Sequence, residues 1–141
     1  MALTGTMIMA SVVAGPAEAA GSVRLGRVQY DSPGTDTRSN ASRNAEYVTI
    51  VNGTARAVQL RGWTVADAQH HVYRFGGLVL AAGKSVRLHT GSGSNTTTNV
   101  YWGSGNYIWN NGGDKVTLRR SSGATVDTCS WTHDAPGYTN C

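Results

Sequence analysis

The chain has 141 residues with 18 Gly, 16 Thr and 10 Arg, but only two Glu and two Lys, and 14% of it is charged. An average soluble domain carries about 25% charge and about 7% Gly, so this chain is glycine-rich and short of the residues that cover helix surfaces. That excludes a helical bundle, a coiled coil or a solenoid of helix pairs, and points to a single all-β domain.

Residues 1–20, MALTGTMIMASVVAGPAEAA, open with a run of small and apolar residues that Gly15-Pro16 breaks. Ala17-Glu18-Ala19 has the small-x-small form of a signal-peptidase site, so 1–19 reads as a secretory signal peptide cleaved after Ala19 or Ala20. No Lys or Arg precedes the apolar run, which suggests that the true start lies upstream. About 14 apolar residues fall short of the roughly 20 that a spanning helix needs, so no stable membrane insertion is expected after cleavage. The expectation is a secreted protein whose folded part covers residues 22–141. Without Glu18 it keeps 12 basic residues against seven acidic ones.

In the folded part, Val23-Arg24-Leu25 alternates and Val28-Gln29-Tyr30 resumes out of phase across Gly26, the mark of a β-bulge. Asp31 to Asn44 is polar and without period, and reads as a long loop. Glu46 to Val51 reads as a strand, Asn52-Gly53 as a type I′ hairpin turn, and Ala57 to Leu60 as its return strand. Gly62 to Asp67, His71 to Phe75, Leu78 to Leu80 and Ser85 to His89 follow as strands separated by turn residues. Gly91 to Thr98 is a loop, and Val100 to Trp102 and Tyr107 to Trp109 flank a glycine-rich link. Asn110 to Asp114 turns into Lys115 to Arg119, and Ser121-Ser122-Gly123 turns into Thr125 to Trp131. Short strands at this spacing indicate a sandwich or barrel. In an exported chain, Cys129 and Cys141 read as one disulfide tying the tail to the preceding strand; the alternative is a pair of free thiols.

The series Glu46-Tyr47-Val48-Thr49-Ile50-Val51-Asn52, Leu60-x-Gly62-Trp63-x-x-x-Asp67, Leu80-x-x-Gly83-x-x-Val86-x-Leu88, Trp109-Asn110-Asn111-x-Gly113-Asp114-x-Val116-x-Leu118 and Gly123-x-x-Val126-Asp127 resembles the lamin tail domain. The resemblance covers about Val23 to Trp131 and implies an immunoglobulin-like β-sandwich of the kind also found in exported bacterial proteins. In that family such domains are often joined to secreted nucleases or phosphatases, but the motifs themselves have structural roles. Trp63 would fill the core, and Asp67 would accept hydrogen bonds from the turn that follows it.

Catalytic groups are scarce. Asp67, His70 and His71 form the densest cluster and are the one candidate for a small metal-assisted hydrolase. Asp31 to Asp36 resembles a calcium loop but lacks the closing bidentate Glu. The pattern calls for no catalytic residue, no cofactor and no metal. A binding or scaffolding module is the leading reading, its partner an extracellular protein, a cell-wall polymer or nucleic acid. Tyr101, Trp102, Tyr107 and Trp109 are a candidate platform for sugar rings or bases, or else a plug at one end of the sandwich. Arg119 and Arg120 join them in the candidate surface. Strand-borne arginines pointing outward together would form a basic face for polyanions.

Overall fold

The computed structural model describes residues 21–141; the signal-peptide reading of 1–19 lies outside them. The strands are β1 (Val23–Gln29), β2 (Tyr47–Asn52), β3 (Val58–Gln59), β4 (Thr64–Ala66), β5 (Val72–Arg74), β6 (Val79–Leu80), β7 (Ser85–His89), β8 (Asn99–Tyr101), β9 (Asp114–Arg119), β10 (Thr125–Trp131) and β11 (Tyr138–Asn140), with one short helix, α1 (Asn40–Asn44). They form a five-stranded sheet in the order β11-β1-β2-β7-β8, a four-stranded sheet β10-β9-β4-β5 and a two-stranded sheet β3-β6. This is the all-β, immunoglobulin-like sandwich expected from the sequence.

Alternation explains which face each strand buries. In β2 and β7, Val48, Ile50, Val86 and Leu88 point inward and Tyr47, Thr49, Arg87 and His89 point outward. From the opposing sheet Val65, Val116 and Leu118 meet them, and Leu60 and Leu80 fill the end beneath the small sheet. Each such aliphatic side chain contributes about 1.5–3 kcal/mol on burial. Trp63 lies in the core, as its motif implies. The bulge expected at Gly26 is present: the β1–β2 register shifts between Leu25 and Val28. A side chain at Gly26 would meet Val51 Cγ2 at 3.0 Å, a tight contact that favours glycine at the bulge.

Three local expectations are corrected, and the tail adds a strand. Asn52-Gly53 is no hairpin turn, since neither residue has a positive φ and β3 pairs with β6 instead of β2. The Asn52 side chain is buried; its amide donates to Arg56 O and Leu80 O, both at 2.8 Å, and its Oδ1 accepts from Thr54 N. It therefore fastens the crossover between sheets. The polar stretch 31–44 holds α1, which sequence periodicity could not show because the helix buries nothing; Ser39 caps it by accepting from Ser42 N. Residues 107–109 are not a strand, because the N–H groups of Ile108 and Trp109 donate to the Glu46 carboxylate at 2.8 and 3.3 Å. The tail carries β11, which pairs with the outer edge of β1.

The disulfide Cys129–Cys141 has a Cα–Cα distance of 5.8 Å. It links β10, on the edge of one sheet, to the residue after β11, on the edge of the other. Asp127 reinforces that seam by accepting from Leu25 N at 2.9 Å. The sandwich is thus closed covalently along the β1–β10 side.

Candidate binding face

The four clustered aromatics serve packing first. Trp109 is 3% exposed and sits edge-on between Trp102 and Trp131 at 6.0 and 6.1 Å. Trp131 stacks on Tyr30 at 4.5 Å, and Trp102 leans on Tyr73. This run of rings plugs one end of the sandwich. Tyr107 hydrogen-bonds Ser42 Oγ at 2.6 Å and accepts from Arg38 N, pinning the 31–44 segment. Tyr101 alone stands on the outer side of a sheet, half-buried between His89, on which it stacks, and the backbone of Gly93. Arg119 and Arg120 lie at the far end of β9 from Asp114, about 17 Å along the strand. The structure therefore separates them from the aromatics.

Asp67 and His71 pair, with Nδ1 2.6 Å from Oδ2. The same carboxylate accepts from Gln69 N and His71 N, so it organises the β4–β5 turn. His70 is exposed, with φ 71°, at the turn apex. Asp67, His70 and His71 line none of five surface cavities formed by the described residues. Among the described residues, no group of three or more His, Cys, Asp and Glu could hold a metal ion.

A different constellation forms where strand register brings outward residues side by side. Gln29 pairs with both Tyr138 and Tyr47, Tyr47 with His89, and His89 with Tyr101. One row across the five-stranded sheet thus reads Tyr138, Gln29, Tyr47, His89, Tyr101, in which Gln29 is buried with its amide donating to Asp31 O and Gly137 O. The next row reads Asn140, Arg27, Thr49, Arg87, Asn99, with Arg27 seated at the bulge opposite Thr49. Beyond it Arg24 pairs with Val51, and Val51 with Ser85.

The arginines are held in place. The Arg27 guanidinium carbon lies 3.6 Å from the centre of the Tyr138 ring, and that of Arg87 lies 4.3 Å from the Tyr47 ring. Such cation–π contacts are worth about 0.5–1 kcal/mol at exposed sites, enough to restrict a flexible side chain. His89 is fixed from both sides, with Nδ1 2.7 Å from Asn44 O and Nε2 2.7 Å from Asn99 Oδ1.

No carboxylate side chain belongs to the five strands of this sheet. Most of the acids gather at one end of the sandwich. Asp31, Asp36 and Glu46 line one cavity of about 300 Å³ with Trp109, Asn110 and Asn111. Asp114 accepts from Asn110 N and Ala68 N at that end. Burial, then Asp134 and Asp36, push the Asp31 carboxyl above its ordinary value. Burial lifts Glu46 to about 7, although hydrogen bonds from Thr90, Ile108 and Trp109 oppose the shift. At the opposite end, Arg24 and Arg120 share a cavity of about 640 Å³ with Trp63 and Asp127.

Sequence reasoning missed Tyr47, His89 and Tyr138 as surface residues of one site. Alternation marks Tyr47, Arg87 and His89 as outward, but nothing local tells that β11 and β7 flank the β1–β2 pair. The four-stranded sheet is also basic outside, with Lys115, Arg119 and Arg74, but Thr64 and Thr117 lie between them and no aromatic ring joins them.

A family model described as Lamin Tail Domain matches residues 16–133. No curated protein matches the chain.

Proposed function

The chain belongs to the lamin tail domain family, and from that premise we propose that it acts outside the cell as a non-catalytic module that binds an anionic polymer. The binding face is the outer side of the five-stranded sheet. One observation carries this reading: Arg24, Arg27 and Arg87 share a face with a row of rings, and no carboxylate side chain belongs to the strands of that sheet. A basic surface of this kind attracts polyanions by counterion release and steers their approach.

The extracellular part of the proposal draws support from the disulfide, since such bonds persist in oxidising compartments. The non-catalytic part draws support from the roles of the acids, because Glu46, Asp67, Asp114 and Asp127 all accept backbone N–H groups that hold loops and seams.

Immobilised heparin is a suitable first probe. Retention at 50 mM salt that is lost by 500 mM, with none on an uncharged matrix, is the expected result. Passage through the heparin column at 50 mM salt would overturn the proposal.

A further inference from the structure

We propose that the polymer is single-stranded nucleic acid, with phosphates along the arginine row and bases along the aromatic row. This rests on the face being a polyanion site, and it names the polymer.

The two rows have different chemistry and lie two residues apart along the strands, about 7 Å. Arg27 and Arg87 occupy one row, on either side of Thr49. They stand two strand spacings apart, about 10 Å. Tyr47, His89 and Tyr101 occupy the other, with centroids 5.9 and 5.1 Å apart. A polymer that satisfies both rows must carry repeating anions on one side and flat rings on the other. Single strands do so, and proteins that hold them combine a basic track with aromatic side chains on which bases stack.

The charge at the rim sets the direction. Asp31 follows the Gln29 end of β1, beyond the aromatic row, and Asp36 and Asp134 act on it there. Phosphates are repelled from that side, whereas neutral bases are not. Arg24 lies beyond the arginine row on the opposite side and extends the phosphate track. A duplex would show this sheet its phosphates and leave the aromatic row without partners, because its bases are stacked inside. A sulfated sugar polymer would use the arginines alone.

The test is fluorescence anisotropy of the full chain with a labelled 12-nucleotide single strand of mixed sequence, its duplex, and labelled heparin. Tyr101 suits mutation because no guanidinium leans on it, and since Gly93 packs against its ring the Phe variant serves as the control for that contact. The single strand is expected to bind at least tenfold tighter than the duplex, with a log–log salt slope of about −2 for three phosphates. Tyr101→Leu should weaken the single strand about tenfold and leave heparin within about twofold. Tyr101→Phe should restore the single strand, which separates loss of the ring from loss of the fold. Equal binding of strand, duplex and heparin, all insensitive to Tyr101→Leu, would overturn the nucleic-acid assignment and leave the polyanion face standing. Failure of all three probes to bind would overturn both.

Discussion

Arg27 and Arg87 stand in one row across the five-stranded sheet, separated only by Thr49, and each guanidinium lies over a tyrosine ring. The residues are 60 positions apart in the chain, and the β1–β2–β7 register makes them neighbours. Arg27 owes its outward direction to the bulge at Gly26. A side chain at that glycine would press on Val51 and Thr49, so Gly26→Val is expected to disturb the register that aligns the two arginines.

Asn52 tests the corrected crossover. If it were the first residue of a type I′ turn, alanine there would cost about 1 kcal/mol, because the left-handed backbone suits it less than Asn. It is instead a buried amide bridging Arg56 O, Leu80 O and Thr54 N, and its truncation takes that partner from Leu80 O and Thr54 N, while Arg56 O keeps Thr54 Oγ1. Asn52→Ala is expected to cost about 2–4 kcal/mol in urea unfolding. A loss of no more than about 1 kcal/mol would contradict the role given to Asn52.

The disulfide closes a short segment, with Cys129 and Cys141 12 residues apart. Replacing both by serine is expected to lower stability by about 3 kcal/mol on the chain-entropy model. Because β11 is three residues long, its amides should also lose protection in hydrogen exchange while those of β2 keep theirs. Uniform loss in both strands would show that the bond holds the whole sandwich instead of its seam.

Glu46 gives a pH signature. Burial raises its carboxyl from 4.5 to about 7, so the folded state keeps a proton that the unfolded chain releases between those values. The stability this contributes is full below about pH 4.5 and is lost as pH rises through 7, a change of about 3 kcal/mol. Asp31, also raised, adds to the same trend. Denaturant titrations at pH 4.5, 6 and 8 should show that slope in the parent and a flatter one in Glu46→Gln, whose Oε1 still accepts from Ile108 N. Parent stability that climbs steadily from pH 4.5 to 8 would contradict a protonated Glu46.

Much of the sandwich was legible because strand alternation and turn residues are local signals. Val86 and Leu88 in β7 point inward and Arg87 and His89 outward, as their spacing implies. Two of the misreadings share one cause: a distant side chain took over a backbone group. Glu46 captured the N–H groups of Ile108 and Trp109 and kept 107–109 out of a sheet, and the Asn52 amide captured carbonyls that a hairpin would have left free. The short helix was hidden because caps and the clip of Asn40 and Asn44 on Ser92 stabilise it, not an apolar stripe. The candidate face was half legible. Its arginines were visible one by one, but their grouping depends on register, and the clustered aromatics that drew attention turned out to be mostly a packed end.

Trp109 measures that last point. It is 3% exposed and touches two other indoles, so Trp109→Ala should cost about 3–5 kcal/mol of stability. Calorimetry should show a fall in Tm of ten degrees or more. An unchanged Tm with lost ligand binding would instead restore the platform reading of this residue.

The most direct test compares the two sheet faces. Arg27→Glu with Arg87→Glu reverses the charge on the five-stranded face, and Lys115→Glu with Arg119→Glu does the same on the four-stranded face. Both pairs change net charge equally, and at 150 mM salt charges farther apart than about 8 Å are largely screened. Measured by anisotropy with labelled heparin at that salt, the first pair is expected to lose at least thirtyfold in affinity and the second no more than about threefold. Equal losses from the two pairs would contradict a defined binding face on the five-stranded sheet.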